Sequence, residues 1–308
     1  MTRVAAVDCG TNSIRILVAD VAGDDDLTEL DRRLEIVRLG QGVDETGRLH
    51  PDALQRTFAA CRRYAREIEE YGVERVRFVA TSATRDAENR ADFAAGIRAI
   101  LGVEPEVITG VEEAQLSFAG ATRSVGAELA IPPYLVVDIG GGSTEFVLGD
   151  DMARAARSVD IGCVRLTERH LRADPPMDAQ VAAAKADINA AIDEAAEAVP
   201  LAQARTLVGL AGSVTTVAAI ALGLDEYDPA RTHHSVISAE DVRKVSDGLL
   251  RMTRRERAVV PVMHPGRVDV IGAGALILAE IVDRVGASRV VVSEHDILDG
   301  IALALGAR

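Results

Sequence analysis

The sequence predicts an α/β protein built from two similar domains, and three observations carry that expectation. Apolar runs of strand length alternate with amphipathic stretches of helical period along most of the 308 residues. The segment Val136 to Asp150, VVDIGGGSTEFVLGD, sets an aspartate, three consecutive glycines and two hydroxyls between apolar flanks. An earlier segment repeats it, with Asp8 lying over Asp138, Gly10 over Gly140 and Ser13 over Ser143, at an offset of 130 residues. Each copy reads strand, Gly/Ser turn, strand. The offset has the length of a domain, not of a solenoid repeat.

The elements follow in order. Val4 to Val7 and Ile14 to Val18 flank the first turn; Leu135 to Val137 and Phe146 to Leu148 flank the second. Between them, Pro51 to Tyr71 reads as a helix with Leu54, Phe58, Cys61, Ala65 and Ile68 on one stripe and Gly72 as its stop. Arg75 to Ala80 reads as a strand, Asn89 to Leu101 as a helix, Glu106 to Ile108 as a strand, and a helix starts near Gly110. After the second turn, Asp178 to Val199 is helical and Thr206 to Leu210 a strand. A glycine turn from Gly209 to Gly212 then leads into a helix over Val214 to Leu222. Ser238 with Asp241 opens a helix running to Met252, Arg289 to Val292 is a strand, and Ile297 to Leu305 is a closing helix expected to return to the first domain. The domains expected are 1–127 with 296–308, and 128–295, with Ile131-Pro132-Pro133 as the hinge.

Composition narrows the function. A hydrophobic content of 48% with 27% charged residues fits a globular chain. The formal charge of −14 argues against a general nucleic-acid binder but leaves room for an anionic substrate at a local cationic cluster. Only Lys185 and Lys244 among the 34 basic residues are lysine, which reads as genome-wide codon bias. No apolar stretch approaches the roughly 20 residues of a membrane span, and the first residues enter a strand pattern without a leader. Cys9, Cys61 and Cys163 lack metal-ligand spacing, so a reduced, cytoplasmic protein without a membrane partner is expected.

The turns point to phosphate. Glycines bring backbone N–H groups close to a ligand, and bare N–H donors suit an anion. Thr11, Asn12 and Ser13 offer donors on the first turn, and Gly140, Gly141, Gly142 and Ser143 on the second. Carboxylates beside bound phosphates commonly hold Mg²⁺; Asp138, Glu145 and Asp8 are the candidates, although Asp138 could instead cap its own turn, and for Asp8 cap and metal ligand are equal readings. Thr109 with Glu112 fits a capping box, which leaves Glu113 either as an acid complementing the helix dipole or as a general base. Arg85 is either a phosphate fork or a solvated loop charge. Gly212 and Ser213 either approach the distal part of a substrate or make a plain strand-to-helix turn. His233 and His234, adjacent in an extended segment, should point apart. Arg251, Arg254, Arg255 and Arg257 read as a solvated helix end. Cys163 reads as a small, half-buried packing residue.

The motifs AVDCGTNSIRILVAD (Ala6 to Asp20), VATSATRDAEN (Val79 to Asn89), VITGVEEAQLSFAG (Val107 to Gly120), DIGGGSTE (Asp138 to Glu145), DIGCVRLTE (Asp160 to Glu168) and LAGSVTTVAAI (Leu210 to Ile220) together resemble the exopolyphosphatase/guanosine pentaphosphate phosphohydrolase family. That family lies within the acetate kinase, sugar kinase, Hsp70 and actin superfamily. The resemblance implies two duplicated actin-like (ribonuclease H-like) domains with mixed sheets flanked by helices and an active-site cleft between them. It implies Glu113, the second glutamate of the EEA motif, as the base that activates water. Asp138 and Glu145 would serve the metal and the catalytic water, ahead of Asp8, and Arg85 would bind substrate. Mg²⁺, with Mn²⁺ as a substitute, would be the cofactor. The substrate would be polyphosphate, with guanosine pentaphosphate as the alternative, and the protein a homodimer. Longer family members append helical domains after this core, so short chains are the expected polyphosphates. A superfamily kinase and a non-catalytic polyphosphate or alarmone sensor are the remaining readings. Glu113 suits water better than a sugar hydroxyl, and retained carboxylates speak against a sensor.

Overall fold

A computed structural model describes residues 1–23, 26–123, 125–126 and 129–306. The chain divides into two units, Met1–Arg123 with Asp296–Arg308, and Ser124–His295. The boundary expected between residues 127 and 128 falls on positions outside the described residues.

The first unit runs β1 (Thr2–Cys9), β2 (Ser13–Ala22), β3 (Asp26–Ile36), α1 (Val43–Thr46), α2 (Pro51–Glu70), β4 (Arg75–Ala80), α3 (Ser82–Asp86), α4 (Arg90–Leu101), β5 (Glu106–Val107) and α5 (Gly110–Thr122). The second runs β6 (Tyr134–Ile139), β7 (Thr144–Gly149), β8 (Ala153–Val159), α6 (Cys163–Arg169), α7 (Asp178–Ala198), β9 (Thr206–Leu210), α8 (Ala211–Ala221), α9 (Pro229–Thr232), β10 (Val236–Ser238), α10 (Ala239–Arg251), α11 (Arg254–Arg257), α12 (Ile271–Val285) and β11 (Arg289–Val292). The last helix, α13 (Ile297–Gly306), belongs to the first unit.

The first sheet has the order β3-β2-β1-β4-β5, with β1, β2 and β3 antiparallel and β1, β4 and β5 parallel. The second has the order β10-β11-β9-β6-β7-β8. Read from β8, it repeats the first strand for strand and adds β10 at one edge. This duplicated mixed sheet is the actin-like, ribonuclease H-like architecture.

β1 and the middle of β2 are apolar on both faces because each face meets a helix layer. Ala5, Val7 and Cys9 of β1 pack with Cys61 and Tyr64 of α2 and Phe93 and Ile97 of α4. Val4 and Ala6 pack on the other side with Ile297, Leu298, Ile301 and Ala302 of α13. Helices α5 and α13 touch backbone to backbone: a Cβ on Gly120 would sit 1.8 Å from the Asp296 carbonyl oxygen, and one on Gly300 2.1 Å from that of Leu116. Only glycine fits either position.

Three strands, β3, β8 and the short β10, escape the sequence pattern. β3 (DLTELDRRLEI) and β8 (ARAARSV) lie at sheet edges and carry charges instead of a clean apolar face, as protected edges do. The Ile131-Pro132-Pro133 segment is tied into the second unit, since Thr206 Oγ1 accepts from Ile131 N (2.9 Å) and donates to its carbonyl (3.0 Å).

Candidate active site

Both glycine turns are closed by the same bond. Gly10 N donates to Ser13 O at 2.9 Å, and Gly140 N to Ser143 O at 3.0 Å. In each, the carbonyls between are taken by a neighbouring segment. Thr11 O accepts from Gly40 N (2.8 Å), and Asn12 O from Val37 N (3.1 Å) and Arg38 N (2.8 Å). In the second unit, Gly140 O accepts from Cys163 N (3.0 Å), and Gly141 O from Val164 N (2.9 Å) and Arg165 N (3.1 Å). Gly142 O takes Arg165 Nε at 2.7 Å. A trans peptide points its N–H opposite to its C=O. Anchoring the carbonyls therefore turns the N–H groups of Asn12 and Ser13, and of Gly141, Gly142 and Ser143, to the other side. The two turns are built alike to present amide donors to an anion.

Gly162 makes this anchoring possible in the second unit. Its missing side chain lets the chain entering α6 lie against the turn; a Cβ there would stand 2.4 Å from the Gly141 carbonyl group.

The strand register places the carboxylates. Across the first hairpin Asp8 faces Arg15; across the second Asp138 faces Glu145. Asp8, Asp138 and Glu145 are all buried. Asp8 Oδ2 accepts from Arg15 Nη2 (2.6 Å) and Nε (3.1 Å), while its Oδ1 has no partner among the described residues. Burial, the largest influence, pushes the Asp8 carboxyl above its usual range, and Arg15 opposes it only in part. Glu145 faces Ser158 across β7 and β8 and accepts its hydroxyl proton at Oε1 (2.8 Å).

Glu113 stands in the first turn of α5 and is buried. Arg85, in α3, donates from Nη1 to Glu113 Oε2 at 3.2 Å and to the Ile108 carbonyl at 3.0 Å. The sequence left Arg85 as a fork or a loop charge; the structure makes it the partner that fixes Glu113. Thr109 caps α5 by accepting from Glu112 N (3.2 Å), but the reciprocal half of the capping box is replaced. Glu112 Oε1 takes Arg77 Nη2 at 2.8 Å instead. Thr11 Oγ1 lies 2.8 Å from Ser82 Oγ, joining the first turn to the start of α3.

The expected glycine turn before α8 takes another form: Gly209 lies within β9, α8 begins at once, and Ala211 adopts φ 65°. The Arg267 guanidinium lies directly against Gly212, where a Cβ would stand 2.1 Å from it. Ser213 sits beside Cys163, which is buried, not half-buried, with its thiol pushed up by burial.

Two further expectations fail. His233 and His234 do not point apart: their rings stack at 3.7 Å, because His234 takes φ 61° where an extended residue was expected. His295 packs on His233 with ring centroids 4.3 Å apart. Arg257 is no solvated helix end; it is buried with Nη2 toward Asp174 (3.5 Å). Arg15, Ser158, Arg165, Arg267 and Asp296 were missed. For Arg15 the hairpin register held the signal, opposite Asp8; Ser158 lies on β8, whose strand the sequence pattern did not show.

Among the described residues no group of three or more His, Cys, Asp or Glu side chains forms a ready-made metal cage. Mg²⁺ does not need one, since one or two carboxylates and substrate oxygens suffice. In the second unit Asp138 and Glu145, facing each other across the hairpin, supply hard oxygen donors that fit such an ion; in the first unit Asp8 keeps Oδ1 buried with no partner among the described residues.

Duplicated mixed sheets, each carrying an amide-presenting turn with buried carboxylates beside it, define a phosphate-handling protein of the actin-like class. The Ppx/GppA phosphatase family matches residues 16–305, and the chain belongs to it. It is 50% identical over 317 aligned positions to exopolyphosphatase 2 of Mycobacterium tuberculosis, covering 99% of each chain. It is 35% identical over 234 positions to a guanosine-5′-triphosphate,3′-diphosphate pyrophosphatase of Photobacterium profundum, covering 72% of this chain and 44% of the relative. A crystal structure of an exopolyphosphatase-like protein superposes with a TM-score of 0.96 at 47% identity, covering 99% of each chain.

Proposed function

We propose that the protein is an exopolyphosphatase that releases orthophosphate from the end of inorganic polyphosphate. The observation that carries the reading is the pair of matched turns, each with its carbonyls anchored and its N–H groups presented. The named exopolyphosphatase relative supports it over the whole chain.

In this reading Glu113, oriented by Arg85, accepts a proton from the attacking water. The new P–O bond forms at the terminal phosphorus as the P–O bond to the rest of the chain breaks, and the electron pair leaves on the shortened chain. Backbone N–H groups of Asn12, Ser13, Gly141, Gly142 and Ser143 stabilise the charge on the transferred group, with the Thr11 hydroxyl and Gly140 shaping the turns. Arg85 serves substrate through its hold on Glu113, and Gly212 and Ser213 meet more distal phosphates. Mg²⁺, held by Asp138 and Glu145 with Asp8 in support, would neutralise phosphoryl oxygens.

Guanosine pentaphosphate is the alternative substrate, supported by the pyrophosphatase relative. Orthophosphate release from short polyphosphate, long polyphosphate and guanosine pentaphosphate, with and without Mg²⁺, separates the readings. Glu113→Gln should lose about 10²- to 10⁴-fold in rate at unchanged thermal midpoint, the usual worth of a positioned base. Turnover of the guanosine compound alone would move the assignment to the second reading; turnover of none would remove both. A homodimer is proposed from the family resemblance and is checked by light scattering.

A further inference from the structure

Arg15 is the third residue of β2, two after Ser13, and pairs across the hairpin with Asp8. A guanidinium beside an amide turn is a natural fork for a phosphate. Here it is shared by two acids. Nε and Nη2 donate to Asp8 Oδ2, and Nη1 donates to Asp296 Oδ2 in a short contact. The three side chains are shielded, at 17% exposure for Arg15, 7% for Asp8 and 4% for Asp296. Two acids on one cation leave the cluster one formal negative charge, next to a turn that must receive a polyanion.

Asp296 is itself firmly set. Its Oδ1 accepts from Leu298 N at 3.0 Å, capping α13, and Asp299 Oδ2 accepts from Asp296 N at 3.0 Å. Burial works against its ionisation, but Arg15 and then Arg32 outweigh burial and hold the carboxyl below its usual range. The cap would be served as well by asparagine or serine. The charge, and the reach to Arg15, are therefore what aspartate adds at this position.

We propose that Asp296 is a positioning residue that withholds Arg15 from substrate phosphates, so that affinity for a polyanion at the first turn is set by backbone N–H groups and kept low. This rests on the phosphate-handling reading of that turn. A weaker grip serves a hydrolase that must let go of both products after each cleavage.

The test is Asp296→Asn, which keeps an oxygen for the Leu298 N–H and removes the charge, with Asp296→Ser as a second uncharged cap. Calorimetric titration with tripolyphosphate, in chelator so that no turnover intervenes, should show affinity rising about tenfold in both variants, the order expected from deleting one nearby, partly screened charge. KM for tripolyphosphate should fall with no rise in kcat, and adding Arg15→Gln to Asp296→Asn should erase the gain. Unchanged or weaker binding in the folded variants, judged by an unchanged thermal midpoint, would overturn the proposal. A wild-type protein that binds tripolyphosphate without hydrolysing it would remove the hydrolase reading and leave this comparison standing. Hydrolysis with no change in the variants would do the opposite.

Discussion

His234 shows how one residue departs from its neighbourhood's rules. A left-handed φ of 61° is uncommon outside glycine, although His, like Asn and Asp, adopts it more readily than most; here His234 N donates to the Val292 carbonyl (2.7 Å) while its ring stacks on His233. Burial, and then the neighbouring His295, hold its imidazole below the ordinary value of 6.5. The folded state thus binds the proton less readily than the unfolded chain, so stability is complete above about pH 6.5 and is lost as pH falls below that value. Thermal midpoints measured from pH 7.5 to 5 should decline, and Asn, which tolerates the left-handed region, should flatten the decline in His234→Asn. A parallel decline in both proteins would assign the effect elsewhere.

At the scale of elements, the turn of the second unit and α6 are one device. The N–H groups that α6 cannot use within itself hold the turn's carbonyls, and Gly162 sets the spacing. In Gly162→Ala the added methyl must displace the Gly141 carbonyl group. Activity should fall about 10²-fold, as expected for a displacement near 1 Å, with a smaller loss in thermal midpoint. A large stability loss with intact specific activity would show that the turn's position does not matter to the chemistry.

The same scale shows what was legible in advance. The turns were visible because glycine, aspartate and serine recur at fixed offsets between apolar strands, and the inner strands because both faces are covered. β3 and β8 were not, because an edge strand facing water needs no apolar pattern. Arg15 with Asp296 was not either, since nothing local at residue 15 points 281 positions ahead. Glu113 was identified as a candidate base, but its link to Arg85 needed the packing of α3 beside α5.

For the whole molecule, the helix that completes the first unit comes last in chain order. Val4, Ala6, Leu17 and Val79 have α13 as the lid of their face. Residues 1–123 expressed alone should therefore bind a hydrophobic dye and aggregate, and adding residues 296–306 in trans or by fusion should restore a cooperative unfolding transition. A monomeric, cooperatively folded 1–123 fragment would contradict this. During synthesis the order of emergence is then reversed in the order of completion. Met1–Arg123 leaves the ribosome first, yet must wait with an apolar face uncovered while all of Ser124–His295 is translated. The later-made unit can finish before the earlier one, and the nascent chain is most in need of chaperone shelter at its oldest end.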